Sequence, residues 1–324
     1  MNRVIAGSLV VVACHSPASS PGDLDGSVAI DVAIQRDGAP ADAPFADYDH
    51  DGPDTVTAFT ISVTNGTRTF VEEVYLPGAA GLHPVVVLSP GLEQPAAAYH
   101  DYGHRLASYG IITLVRDDPG LFENSADVAA DIAYVVATWL PAAQADASSM
   151  LGGRIDLAHV GLAGHSRGGK SSLIAAEAGA AGKVRAWFGL DPVDAAFLNG
   201  GVQARDQIAS IGIPTVFLGT SVIGVCNAVA DSYQVLYAGA PSPSVALTAV
   251  DAGHTELEDQ ASCVSCDICA VGTANAQVVL AYSVRYLVAF FARELLGDGH
   301  VGALFDGADA AADIAAGLVQ RVSK

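Results

Sequence analysis

Residues 159–173 read HVGLAGHSRGGKSSL, small apolar residues that run straight into Gly164-His165-Ser166-Arg167-Gly168. The pattern G-x-S-x-G at a strand-turn-helix junction is a nucleophile elbow, in which a strained turn lifts a serine Oγ above a sheet. Glycines are needed there because a side chain would collide with the neighbouring strand and helix. The pattern alone also fits a plain Gly/Ser turn, so its meaning depends on what surrounds it.

Outward from the elbow, the chain alternates β-branched runs with helical patterns. TVTAFTISVTNGTRTFVEEVYLP (55–77) reads as two strands around the hairpin signal Asn65-Gly66. HPVVVLSPG (83–91) is a short buried strand ending in a glycine turn. AAAYHDYGHRLASYG (96–110) is helical and closes on Gly110. IITLVRDD (111–118) is a strand, and SADVAADIAYVVATWL (125–140) an amphipathic helix with Ser125 as its N-cap. After the elbow come strands at 184–191, 214–220 and 244–251 and a long helix over 275–296. Two antiparallel strands followed by repeated strand-helix units predict an α/β fold, a mostly parallel sheet with helices on both faces.

Such a sheet delivers functional groups at the carboxyl ends of its strands. Ser166 sits at one of them, and a serine needs a base, itself oriented by a third group, to act as a nucleophile. The partners then follow in chain order as acid and histidine. Of nine histidines, His254 in AVDAGHTELED follows the last core strand and a glycine turn, which makes it the candidate base. His165 points away from the serine and is expected to pack beside the elbow. Asp191 in GLDPVDAAF is the candidate acid, with Asp194 and Asp231 as alternatives. Pro192 is expected to hold Asp191 extended, and Asp194 to cap a following helix. The oxyanion donors are expected from the backbone N–H of Arg167, after the nucleophile, and of Leu92 in SPGLEQP. The Arg167 side chain either lines the pocket or forms a surface pair with an Asp. His100 and His104 have metal-ligand spacing on a helix but lack a Glu-x-x-His context, so they read as a helix face.

GPDTVTAFTISV, HPVVVLSPG, RLASYGIITL and GHSRGG resemble, in the same order, the dienelactone-hydrolase-like branch of α/β-hydrolases, which holds cutinase-like polyester hydrolases and chlorophyllases. GHSRGGK, GLDPVDA and DAGHTELED look closest to chlorophyllases. The likeness spans about residues 51 to 300 and implies an α/β-hydrolase fold and a serine ester hydrolase without a cofactor or metal. In polyester hydrolases the acid follows the strand equivalent to PTVFLGT; here SVIGVCNA continues with no carboxylate before Asp231. The chlorophyllase arrangement, with the acid one strand earlier, fits Asp191 better.

At the N-terminus, Arg3 precedes an apolar run from Val4 to Ala13, the layout of a secretory signal and too short to span a bilayer. VVAC resembles the bacterial lipobox, which would make 1–13 a lipoprotein signal and Cys14 the lipidated residue of an exported cell-envelope protein. Residues 14–54 read as an acidic disordered tether: 15–54 hold nine Asp and one Arg among small and polar residues. Asp47, Asp49 and Asp51 have the opening spacing of a calcium loop, but the position that needs Glu is Ala58. The hydrolase domain then runs over 55–300, with a C-terminal extension at 301–324. A formal charge of −20, from 15 Lys+Arg against 35 Asp+Glu, repels phosphate backbones and argues against nucleic acid.

Cys226, Cys263, Cys266 and Cys269 could be four thiolate ligands of a metal or cluster. Export favours two disulfides instead, with three pairings open; chlorophyllase-like sequences also carry cysteines around this histidine. The expected activity is hydrolysis of a small or polymeric carboxylic ester, with any membrane contact through a lipid on Cys14. The alternatives are a non-catalytic surface lipoprotein binding an acyl or aromatic ligand, and an acyltransferase using the same triad.

Overall fold

Asn65 and Gly66, the latter at φ +62°, turn strand β1 (Val56–Asn65) into β2 (Arg68–Pro77), as the hairpin signal predicts. A computed structural model describes residues 48–117, 123–177, 182–197, 200–260, 263, 266–301 and 305–324. These belong to one compact unit, Arg36–Lys324. Residues 1–13, Cys14, Asp47 and the rest of the tether up to 47 lie outside the described residues.

The remaining strands are β3 (His83–Ser89), β4 (Ile112–Asp117), β5 (Ile155–His165), β6 (Val184–Leu190), β7 (Thr215–Thr220), β8 (Ser244–Ala249) and β9 (Val319–Ser323). They form one sheet in the order β1-β2-β4-β3-β5-β6-β7-β8-β9. From β4 through β8 the neighbours are parallel, while β1, β2 and β9 join antiparallel. The central strands are buried on both faces: all seven residues of β3 are shielded from water, as a parallel sheet covered by helices requires.

Helices α1 (His100–Ser108) and α6 (Ala276–Phe291) cover one face, where Tyr102, Leu106, Leu287, Phe290 and Phe291 join the core. Each fully buried side chain of this size contributes about 1.5–3 kcal/mol. The other face holds α2 (Ser125–Tyr134), α3 (Leu140–Ala145), α4 (Ser166–Glu177) and α5 (Tyr233–Gly239), packed through Val128, Ile132, Leu140, Leu173 and Leu236. Asn124, not Ser125, caps α2: its side chain accepts from the Asp127 N–H, so the cap lies one residue earlier than expected.

Two boundaries differ from the sequence reading. Residues 48–54, assigned to the tether, lie on the domain: the Tyr48 ring is buried and its hydroxyl meets Asp298, while Gly52 N–H donates to Ser108 Oγ at 2.8 Å. Asp49 and Asp51 pair with Arg285 (3.2 Å) and Arg105 (2.8 Å). Within 301–324, helix α7 (Ala308–Ala315) leads into β9, which pairs with β8 from Val319 to Ser323. The extension therefore completes the sheet.

Candidate active site

Strand β5 ends at His165 and helix α4 begins at Ser166 with no intervening loop. That abrupt change leaves Ser166 at φ +53°, a left-handed conformation that L-residues hold only when the surroundings enforce it. The flanking glycines allow the approach. A Cβ on Gly164 would sit 2.4 Å from Gly168 C, and one on Gly168 would sit 2.1 Å from Ser89 O.

Asp191 follows β6 and is fully buried. Its Oδ2 lies 2.7 Å from His254 Nδ1. The same carboxylate accepts Thr220 Oγ1–H (2.8 Å), Thr220 N–H (3.2 Å) and Asn227 Nδ2–H (3.0 Å). Burial alone would raise its carboxyl, yet the hydrogen bond and charge of His254 and the bond from Thr220 outweigh it and hold the group below its ordinary value. An ionised carboxylate only accepts, so Nδ1 of His254 carries the proton of this bond, the tautomer whose neutral ring has its lone pair at Nε2. The expectation that Pro192 keeps Asp191 extended is corrected: Asp191 is at φ +36°. Its N–H is tied to Leu218 O at 2.6 Å, and Val193 N–H to Ser166 O at 3.1 Å, so contacts to β7 and the elbow override the preference imposed by the proline.

Ser166, His254, Leu92 and Arg167 line one cavity of about 460 Å³ at the carboxyl edge of the sheet. Arg167 is the second residue of α4, so its N–H has no partner within the helix. In the turn after β3, which carries Leu92, the Gly91 N–H donates to Tyr99 Oη at 3.0 Å. The Arg167 side chain is buried, and its Nη1 donates to Glu123 O at 2.7 Å. It is therefore no surface charge. Burial and the neighbouring Arg116 bring its guanidinium down to about 10.

The other candidate acids are engaged elsewhere. Asp194 does not cap a helix directly after it, since 195–197 are not helical; it is buried against Lys170 Nζ (3.2 Å) and Arg205 Nε (2.7 Å) and accepts the N–H groups of Ala204 (2.8 Å) and Arg205 (3.1 Å), which open a short 3-10 helix at Ala204–Asp206. Asp231 pairs with Arg205 Nη2 at 2.6 Å. His165 is buried beside the elbow with its ring 4.6 Å from that of His254. The rings of His100 and His104 stack on α1 at 5.7 Å, His100 Nδ1 meets Tyr75 Oη at 3.2 Å, and His104 Nδ1 lies 3.5 Å from Asp51. No cluster among the described residues could hold a metal ion. The four cysteines form Cys226–Cys269 and Cys263–Cys266, so their sulfurs are bonded to one another and offer no thiolate ligands. All four line the cavity with His254.

Thr220 and Asn227, which hold the Asp191 carboxylate, carried no motif in the sequence. The one available signal was the place of Thr220, at the end of the strand where polyester hydrolases carry their carboxylate. Among known proteins, the family model described as PETase: PET hydrolase-like matches residues 28–259. No curated protein matches the chain.

Proposed function

The chain belongs to the PET hydrolase-like family, an α/β-hydrolase family of ester hydrolases, and from that premise we propose a serine carboxylic ester hydrolase with Ser166 as nucleophile, His254 as base and Asp191 as acid. The observation that carries this reading is the 2.7 Å bond between His254 Nδ1 and Asp191 Oδ2 beside the elbow serine. His254 Nε2 takes the Ser166 proton as Oγ attacks the ester carbonyl. The tetrahedral oxyanion receives the N–H groups of Leu92 and Arg167, fixed donors that strengthen as charge develops. Collapse expels the alcohol, protonated by His254, and leaves an acyl-Ser166. Water, deprotonated by the same histidine, then releases the acid.

Placement of the acid after β6 supports a chlorophyllase-like arrangement within this family. The mouth of the cavity supports an apolar ester: Phe197, Val225 and Ile268 line it while 63–68% exposed, and exposed apolar surface beside a pocket marks a binding region. A fluorophosphonate probe should label Ser166 in the wild type and not in Ser166→Ala, and a panel from short p-nitrophenyl esters to polyester film and chlorophyll should rank the substrates. Hydrolysis that survives in Ser166→Ala would end this reading. Labelling without turnover would favour a binding protein, and acyl esters of an added alcohol as products would favour acyl transfer.

Export belongs to the same proposal, supported by Arg3, the apolar run Val4–Ala13 and VVAC, and by two disulfides of the kind oxidising compartments sustain. Cys14→Ser should then release the protein from the membrane fraction, since buried acyl methylenes hold such anchors at ~0.8 kcal/mol each. A wild type that is already soluble and begins beyond Cys14 would contradict it.

A further inference from the structure

Behind the proposed triad lies a second buried set of polar groups that the reaction does not use. His165, one residue before the nucleophile, is 1% exposed, and neither of its ring nitrogens faces water. Nε2 meets the backbone carbonyl of His254 at 3.1 Å, and Nδ1 meets Tyr99 Oη at 2.7 Å. Tyr99 is also fully buried, and its oxygen accepts the Gly91 N–H. Glu258, four residues past His254, brings Oε1 within 3.1 Å of the same Nδ1.

The chemistry of the end groups fixes the bonds at the two ends of this chain. A carbonyl can only accept, so His165 carries a proton at Nε2 that points at His254 O. At the other end the Gly91 N–H donates to Tyr99 Oη. Tyr99 Oη closes the middle bond to Nδ1, beside Glu258 Oε1. Burial, and after it the Glu258 carboxylate, push the Tyr99 phenol well above its usual value, so it keeps its proton. The resulting path runs from Gly91 N–H through Tyr99 Oη and His165 to His254 O. Its ends are the two loops whose relative placement decides the chemistry: the turn carrying Leu92 and the loop carrying the base.

We infer that His165 and Tyr99 are positioning residues that lock the turn after β3 to the His254 loop. This inference rests on the proposed serine hydrolase reading. Neither side chain needs to touch the ester. The two act in series, so breaking either hydrogen bond should release the same restraint.

The test compares Tyr99→Phe, His165→Phe and the double variant with a p-nitrophenyl ester, measuring kcat, KM and the thermal midpoint. Loss of about an ångström of alignment should lower kcat by up to ~10²-fold with KM nearly unchanged. The double variant should fall little further than the worse single one, because residues in one network are not additive. His165→Gln, which keeps an N–H directed at His254 O, should recover part of kcat. Folded variants that retain wild-type kcat, that lose affinity through KM instead, or whose kcat losses multiply, would overturn the inference. If His165→Phe does not fold, Tyr99→Phe decides alone on the kcat and KM criterion. Ser166→Ala runs alongside: activity in that variant would remove the serine hydrolase reading, whereas its inactivity with unchanged Tyr99→Phe turnover would remove only the present inference.

Discussion

Thr220 donates its hydroxyl to the carboxylate of Asp191 at 2.8 Å, from the end of β7 to the end of β6. The neighbouring strand thus supplies a donor that favours the charged acid. Thr220→Val keeps the shape and removes the donor, and hydrogen bonds to charged groups contribute about 1.5–3 kcal/mol. Asp191 sits below its ordinary value, so the stability it contributes is full above the unfolded value and is lost as pH falls through the folded one. Thermal midpoints of wild type and Thr220→Val should therefore differ most at neutral pH and converge on acidification. A difference that does not change with pH would contradict this.

Asp194 and Lys170 are a buried ion pair, 0% and 1% exposed, that ties α4 to the loop after β6. Asp194→Ala leaves the Lys170 ammonium without its counter-charge, which typically costs about 3–5 kcal/mol. Denaturant unfolding should show that loss, while the folded fraction keeps most of its turnover. Turnover abolished in folded protein would mean that Asp194 takes part in the chemistry.

The two disulfides should differ in their effect on stability. Cys226–Cys269 spans 43 positions and Cys263–Cys266 spans 3. Loop-closure entropy then gives about 4 kcal/mol for the first against under about 2 for the second. Paired Cys→Ser variants compared by thermal unfolding should follow that order, and equal losses would refute it.

Glu72 lies buried opposite Arg116 in the β2–β4 pairing. Burial pushes its carboxyl up to about 8, against the lowering effect of Arg116. Its folded value exceeds the unfolded one, so the folded state binds the extra proton and stability falls as pH rises from the ordinary carboxylate range to about 8. Glu72→Gln should match the wild type near the low end of that window and exceed it by a few kcal/mol above the high end, at about 1.4 kcal/mol per pK unit. Equal pH profiles for the two would contradict this.

The periodicities of 55–77, 83–91 and 244–251 made the sheet legible, because buried parallel strands leave continuous apolar runs. β9 left no such run: on an edge strand only Val319 is buried, and Gln320 and Val322 face solvent. Ser166 and His254 stood out through their glycine turns. The support of the site did not, since Tyr99, the pair Thr220 and Asn227, and Glu258 come from three separate segments brought together only by the fold. Asp191 could be named from GLDPVDA, but its positive φ could not, because the hydrogen bond from its N–H to Leu218 is a tertiary contact.

Turnover of Asp191→Asn is the most direct measurement of the central claim, that Ser166 is driven by His254 held by an acid after β6. The amide cannot stabilise an imidazolium and favours the wrong tautomer, so kcat should fall by up to ~10⁴. The substitution also sets an NH2 among groups that all donate, so a loss of about 1–3 kcal/mol of stability should accompany it. Folded Asp191→Asn with kcat within about tenfold of wild type, a loss of under about 1.4 kcal/mol in the barrier, would contradict the account.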